Sequence, residues 1–185
     1  MNYYGAKDLA ASFRTVRNNT VKIAEEIPED KYGFRAAEGT RTVGELLTHI
    51  AYGVKFNEQI NMIEKRDSMV GFDFMKFMGG LSAEQNKPRT KAEILTLLKD
   101  EGEKFAKSLD SLTDDFLGQS ITMPPGSNPA SRTRFDMLAG AKEHEMHHRG
   151  QLMLIERMLG ITPHLTRDQQ ARMAMMQAQM AAAQK

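Results

Sequence analysis

Residues 133–160 read TRFDMLAGAKEHEMHHRGQLMLIERMLG, and their pattern indicates the fold most clearly. An α-helix turns by about 100° per residue, so side chains three and four residues apart share one face. One narrow stripe has apolar ends and a polar middle: Met137, Ala141, His144, His148, Gln151 and Ile155. The stripe is typical of a helix packed inside a bundle, and we expect that helix from about Thr133 to Leu159. Gly160 follows as its stop.

Three further amphipathic segments precede this helix. The first places its apolar side at alternating steps of four and three until Pro28 ends it. Its members are Leu9, Phe13, Val16, Thr20, Ile23 and Ile27. The second is expected from Thr42 to about Lys65, and the third from Thr90 to about Leu112. Each of these two begins with a Thr-x-x-Glu pattern, which satisfies free backbone N–H groups at a helix start.

Two irregular stretches connect the helices. Residues 67–89 combine three glycines and Pro88 with several Phe and Met side chains. They indicate a loop with a short helix over one end of the core or, alternatively, an apolar lid over a site. Residues 123–129 hold three prolines and a glycine, which excludes a helix and indicates a long crossing connection. With no useful β-strand alternation, the expected fold is all-α: a four-helix bundle with that crossing connection.

The last residues differ in composition, because Met, Ala and Gln dominate them. We therefore expect two parts, a bundle over residues 1–163 and a C-terminal extension over residues 164–185. Thr166 and Gln169 have the spacing of a helix cap. Three methionines would share one face of such a helix: Met173, Met176 and Met180. The alternatives are a disordered tail and a fifth helix that packs on the bundle or on a partner subunit.

Composition and charge exclude several classes of protein. The 185 residues include 25 basic and 24 acidic side chains, a net charge of +1, so electrostatics give no reason to expect a nucleic-acid partner. Without cysteine, disulfides, thiolate metal sites and cysteine nucleophiles are excluded. The N-terminus lacks a signal-peptide pattern, and no apolar run approaches the about 18 residues that cross a bilayer. A cytoplasmic protein with no membrane partner is expected.

The histidines are the candidate functional residues. His144 and His148 lie one helical turn apart on the inward stripe, as when one helix presents two imidazoles to one metal ion. A buried imidazole without a partner is costly, and a metal ion would satisfy both. His49, on the inward face of the second helix with Gly53 one turn along, is the candidate third ligand. His164, beyond the last bundle helix, is a poorer one.

Two alternatives remain open at the level of spacing. His147 lies about 60° from His144 around the helix, so it is a ligand, a hydrogen-bond donor to a ligand, or a surface residue. The histidines also fit a core polar network with Glu145 or Gln151, without a metal.

Four segments resemble a known family. They read IPEDK at residues 27–31, RTVGELLTHIA at 41–51, HEMHHRGQL at 144–152 and MLGITP at 158–163. Together they resemble the DinB/YfiT-like family of metal-dependent proteins, which is not the translesion DNA polymerase that shares the DinB name. The resemblance spans most of residues 1–163.

The resemblance implies a four-helix bundle, commonly a homodimer, that holds one divalent metal ion, nickel or zinc foremost. The family's three ligands map onto His49, His144 and His148. Three further side chains are expected near the metal or the substrate: Gln151, Glu145 and His147.

The same resemblance implies an activity. Relatives include thiol S-transferases that join a low-molecular-weight thiol, such as bacillithiol or mycothiol, to a small electrophile. Three protein ligands leave a coordination position open, which is the pattern of catalytic rather than structural sites, and a metal favours the nucleophilic thiolate form of sulfur. A metal-dependent thiol transferase is therefore expected. The alternatives are a metal-dependent hydrolase and a non-catalytic metal-binding or stress-response dimer.

Overall fold

The computed structural model describes residues 4–183. Its helices are α1 (Ala6–Glu26), α2 (Val43–Tyr52), α3 (Lys55–Asn57), α4 (Phe74–Gln85), α5 (Lys91–Asp110), α6 (Asp114–Gly118), α7 (Arg134–Met158) and α8 (His164–Ala183). A short 3-10 turn at Glu29–Lys31 follows α1, and a π-helical segment at Glu58–Ile63 follows α3. α1 packs along α5 and α7, and α2 packs on the same two helices. The predicted four-helix bundle is confirmed, its second helix being α2 with α3 and the π-helical segment.

That second helix is less regular than the sequence predicted. Gly53 and Val54 keep helical backbone angles, but the hydrogen-bonding pattern of α2 stops before them and resumes in α3. At Glu58 the pattern widens to that of a π-helix, which ends with Ile63. Apolar periodicity reports which face is buried and is insensitive to such local changes in hydrogen bonding.

Both predicted capping boxes are confirmed. The Thr42 hydroxyl accepts a hydrogen bond from the Glu45 N–H at 3.1 Å, and the Glu45 carboxylate accepts one from the Thr42 N–H at 2.7 Å. Thr90 and Glu93 make the same reciprocal pair at the start of α5. These bonds fix where α2 begins, and therefore the height of its side chains in the bundle.

The core runs along the bundle between α1, α2, α5 and α7. At one end Phe13 and Phe105 meet edge to face, with ring centroids 5.0 Å apart. At the other end Ile23, Leu47 and Leu98 are fully buried. Each such side chain stabilises the fold by about 1.5–3 kcal/mol on removal from water, so the apolar stripes account for the helix arrangement.

One buried ion pair crosses this core. The Arg17 guanidinium contacts both carboxylate oxygens of Glu145, with its Nη2 2.9 Å from Oε2. Its other N–H groups donate to the backbone carbonyls of Leu98 at 2.8 Å and Ile50 at 3.3 Å. A single side chain of α1 therefore links α2, α5 and α7.

The connections contain more structure than the sequence indicated. The crossing connection includes an antiparallel pair of three-residue strands, β1 (Ser120–Thr122) and β2 (Ser131–Thr133), which are too short to produce a recognisable alternation. Residues 67–89 contain α4, none of whose side chains is buried. Phe72, Phe74 and Phe77 surround Phe56 from this side, with ring centroids 5.8–5.9 Å away.

The C-terminal extension is helical over its described part. α8 begins at the buried His164, whose Nε2–H donates to the Asn19 side chain at 3.2 Å, while almost all later side chains of α8 are exposed. The division of the chain near residue 163 stays a prediction. No helix within residues 4–183 is long and apolar enough to span a bilayer.

Candidate metal centre

Two helices carry the three histidines that the sequence singled out. His49 lies in the last turn of α2, and His144 and His148 lie one turn apart in α7. Because α2 and α7 pack against each other, the imidazoles meet between them. The spacing of four residues places both α7 rings on the side that faces α2.

The ring nitrogens of these histidines converge. The Nε2 atom of His144 lies 3.1 Å from that of His49 and 3.2 Å from that of His148. One nitrogen from each ring lies within 4.8 Å of the other two. The rings of His49 and His144 are half-buried, and His148 is 8% exposed. No other group of three His, Asp or Glu side chains comes together in this way anywhere in residues 4–183.

Two glutamines determine which nitrogen carries the proton. The Gln85 carbonyl oxygen lies 3.1 Å from His49 Nδ1, and the Gln151 carbonyl oxygen lies 2.8 Å from His148 Nδ1. A carbonyl oxygen only accepts, so both Nδ1 atoms donate. The Gln151 amide nitrogen donates to His147 Nε2 at 3.3 Å, which agrees with this orientation. In the neutral rings, the Nε2 lone pairs of His49 and His148 therefore face inward.

This arrangement fits a metal ion better than a hydrogen-bond network. The Nε2 of His144 carries at most one hydrogen, so it can donate to His49 or to His148 but not to both. A cation would satisfy all three lone pairs together. Two nitrogens bound tetrahedrally at about 2.0–2.1 Å lie about 3.3 Å apart, close to the 3.1 and 3.2 Å found here.

The protonation states favour metal binding as well. The pKa of His144 is lowered to about 4, mainly by burial and also by the neighbouring His148 and His49. Burial is also the main cause of the lowered pKa of His49 and of His148, although each glutamine contact acts in the opposite direction. The rings are therefore neutral near pH 7, and neutral imidazole is the form that binds a metal ion.

Gly53 makes room for one of the rings. A Cβ atom at this position would lie 2.7 Å from His144 Nδ1 and 2.8 Å from its Cε1. These contacts are far shorter than van der Waals distance, so any larger residue would move the His144 ring. Gly53 lies one turn along from His49 at the end of α2, and the ring that occupies the space beside it is that of His144, from the neighbouring helix.

The remaining candidate residues lie around this cluster. His147 is exposed; its ring meets that of His148 edge to face, with centroids 4.8 Å apart, and its Nε2 accepts from Gln151. Glu145 lies about 100° around α7 from His144, and its carboxylate is held in the ion pair with Arg17. Gln85 was missed, because it belongs to α4, whose position beside α2 depends on tertiary packing and not on a local pattern.

A cavity opens beside the cluster. Its volume is about 730 Å³, which suits a small molecule. Its lining includes His148, both glutamines, Arg41, Leu154 and Ile155. A second cavity of about 800 Å³ lies between α4 and the π-helical segment and is lined by none of the three histidines.

Comparison with known proteins places this geometry in a family. A family model of the DinB superfamily matches residues 12–152, which include all three histidines. The chain belongs to the DinB superfamily. The resemblance found in the sequence is therefore confirmed.

Individual DinB-like proteins agree with this assignment. YjoA of Bacillus subtilis is 29% identical over 158 residues, which are 85% of this chain and 92% of YjoA. Its crystal structure is similar, with a TM-score of 0.62 over 83% of this chain and 92% of that structure at 27% identity.

A more distant structure shows the shared fold. YfiT of Bacillus subtilis is 15% identical, with a TM-score of 0.63 over 85% of this chain and 89% of YfiT. It is described as a probable metal-dependent hydrolase with an unusual four-helix bundle topology.

Proposed function

We propose that this DinB-superfamily chain is a metal-dependent enzyme in which His49, His144 and His148 bind one divalent cation. The observation that supports it is the convergence of three neutral imidazole nitrogens, two of them with a lone pair directed inward by a glutamine. Three protein ligands leave a coordination position for a substrate. Imidazole suits both nickel and zinc, and these are the ions we propose.

We further propose transfer of a low-molecular-weight thiol to an electrophile as the reaction. When bound, the cation supplies a Lewis acid that lowers the pKa of a thiol. The sulfur would bond to the electrophilic carbon as the bond from that carbon to its leaving group breaks. The leaving group would depart with the electron pair, and the thiol proton would pass to solvent.

The protein's part in this reaction is mainly binding and orientation. Gln85 and Gln151 hold the protons of His49 and His148 on the outer nitrogens, which keeps the inner ones free as ligands. Glu145 and Glu45 do not serve as bases at the cluster, because Glu145 is paired with Arg17 and Glu45 with Arg35. A thiol made acidic by a cation requires no such base, so thiol transfer is compatible with this arrangement.

Hydrolysis is the second candidate, because YfiT is described as a probable metal-dependent hydrolase. A cation held by three imidazoles also makes bound water acidic near neutral pH. We also propose that the protein is a cytoplasmic homodimer and that it binds neither nucleic acid nor membranes.

Elemental analysis of the purified, untagged protein tests the metal site. We expect near-stoichiometric nickel or zinc in the wild type and in His147→Ala, and loss of metal in His49→Ala, His144→Ala and His148→Ala. Equal loss in His147→Ala would contradict the ligand set. No metal in the wild type, even after added zinc or nickel, would contradict the enzyme proposal and favour a polar network.

Turnover then separates the two reactions. The metal-loaded protein is assayed with a thiol and 1-chloro-2,4-dinitrobenzene, and in parallel with p-nitrophenyl acetate. Metal-dependent thioether formation that His148→Ala abolishes is the expected result. Ester hydrolysis alone would favour the hydrolase, and neither reaction would favour a non-catalytic metal-binding protein.

A further inference from the structure

The cavity beside the cluster has a charged rim. Arg35, Arg41 and Glu45 line it together with His148. Arg35 and Glu45 form an ion pair, with the Arg35 Nη2 3.0 Å from the Glu45 Oε1. This pair is neutral overall, so Arg41 is the rim's uncompensated charge.

Arg41 also differs from most arginines in this protein. Its guanidinium makes no hydrogen bond or ion pair with any residue in the range 4–183. The same is true of Arg149. Every other arginine in that range donates to a carboxylate, an amide or a backbone carbonyl; examples are Arg14, Arg89 and Arg157. Arg149 does not line the cavity. Within residues 4–183, Arg41 is thus the one arginine at the cavity whose guanidinium is unpaired.

Arg41 and the histidine cluster border the same cavity. Its lining includes Arg41, His148 and both glutamines. Gln85 and Gln151 contact the rings of His49 and His148 directly. A molecule in the cavity can therefore be near His148 and Arg41 at once.

No carboxylate within residues 4–183 pairs with Arg41. Glu45 accepts from Arg35 and from the backbone N–H of Thr42. Glu145 is buried in its ion pair with Arg17. With a dication on three neutral imidazoles, the region would carry an excess of positive charge next to a small-molecule cavity. Such a site attracts an anion.

We propose that Arg41 binds a carboxylate group of the substrate, so that the molecule in this cavity is an organic acid whose reacting end lies at the histidine cluster. The planar guanidinium fork matches a carboxylate with two parallel hydrogen bonds. The apolar walls formed by Leu154 and Ile155 suit the carbon chain between the two ends. This inference rests on the proposed metal-dependent function and identifies its substrate class.

The test compares two thiols of matched length, 3-mercaptopropionate and 3-mercaptopropan-1-ol. Isothermal titration calorimetry measures their binding to the zinc-loaded wild type and to zinc-loaded Arg41→Gln, Arg41→Lys and Arg149→Gln. We expect the wild type to bind the carboxylate thiol roughly tenfold more tightly, an effect in the range of one charge-assisted pair. Arg149→Gln should keep this preference, Arg41→Lys should keep part of it, and Arg41→Gln should lose it.

Two results would overturn the inference while leaving the proposed function intact. One is equal binding of both thiols by the wild type, and the other is an undiminished preference in Arg41→Gln. Failure of the proposed function has a different signature, since zinc would not bind or the zinc-loaded protein would bind neither thiol. That outcome would overturn both.

Discussion

At the scale of single residues, the site depends on positions that are not candidate ligands. Gly53 provides the volume that the His144 ring occupies, and Gln85 and Gln151 orient the rings of His49 and His148. The pair on α7 was predictable from sequence because its spacing is local. Gln85 was not, because its contact with His49 depends on how α4 packs.

Substitution of Gly53 by alanine should reduce metal binding while preserving the fold. The added Cβ would lie 2.7 Å from His144 Nδ1, so the ring must move away from the other two. We expect at least a roughly tenfold loss of zinc affinity, the lower end of what misplaced ligand shells cost. The control is Gly150→Ala on α7, where a Cβ meets nothing within 4 Å. Competition with a chromophoric chelator measures both, and equal affinities in the two variants would contradict the steric role.

The two glutamines should tune metal affinity without being required for it. Gln85→Ala and Gln151→Ala each remove the acceptor that holds an Nδ1 proton, and we expect about 10–100-fold weaker zinc binding from each. His147→Ala, which removes the outer neighbour of Gln151 and an edge contact with the His148 ring but no acceptor of an Nδ1 proton, is the control and should bind as the wild type does. If neither glutamine variant differs from that control, the rings are oriented by packing alone.

At the scale of elements, the core ion pair links the helix that carries two histidines to the rest of the bundle. Arg17 of α1 binds Glu145, the residue after His144, and also carbonyls of α2 and α5. The four bundle helices were predictable because their apolar faces and caps are local patterns. The ion pair was not, because it joins residues 128 positions apart. The β1–β2 pair was missed because three-residue strands give no periodic signal.

Removal of this ion pair should destabilise the fold strongly. Arg17→Met leaves the Glu145 carboxylate buried without a partner, which costs about 3–5 kcal/mol. Arg14→Met is the matched control, since Arg14 lies on the same helix and pairs at the surface with Glu103 and Asp110. That change should cost at most about 1 kcal/mol. Urea unfolding monitored by circular dichroism measures both, and similar losses would argue that Arg17 contributes no more than a surface pair.

At the scale of the whole molecule, two buried sites hold groups whose pKa values are shifted in opposite directions. The histidine cluster has lowered pKa values, mainly because it is buried. Near the C-terminal end of α7, burial and the charge of Glu26 together raise the pKa of Glu156 to about 7. Neither carboxylate oxygen of Glu156 has a hydrogen-bond partner within residues 4–183. No local pattern predicts this site, because its burial depends on α1, α7 and the start of α8 together.

Glu156 should make the protein less stable as the pH rises through the neutral range. In the unfolded chain its carboxyl group ionises above about pH 4.5, whereas in the folded protein it keeps its proton until about pH 7. Between these values the unfolded state binds fewer protons, so the free energy of unfolding falls with pH and then levels off. Glu156→Gln removes this loss. The variant should gain on the order of 1–3 kcal/mol relative to the wild type between pH 4.5 and pH 8.

Urea unfolding of the metal-free proteins at pH 4.5, 6 and 8 measures this difference, and comparison at each pH cancels the contribution of the histidines, which the two chains share. Glu143→Gln, an exposed position on the same helix, is the control and should follow the wild type at every pH. A gain for Glu156→Gln that is the same at all three pH values would show that the pKa of this carboxyl group does not differ between the folded and unfolded states and that only its volume or polarity matters. A gain that is smallest at pH 4.5 and larger at pH 6 and pH 8 would place a neutral carboxylic acid in the core of the native protein, beside the Glu26 carboxylate that pairs with Arg167.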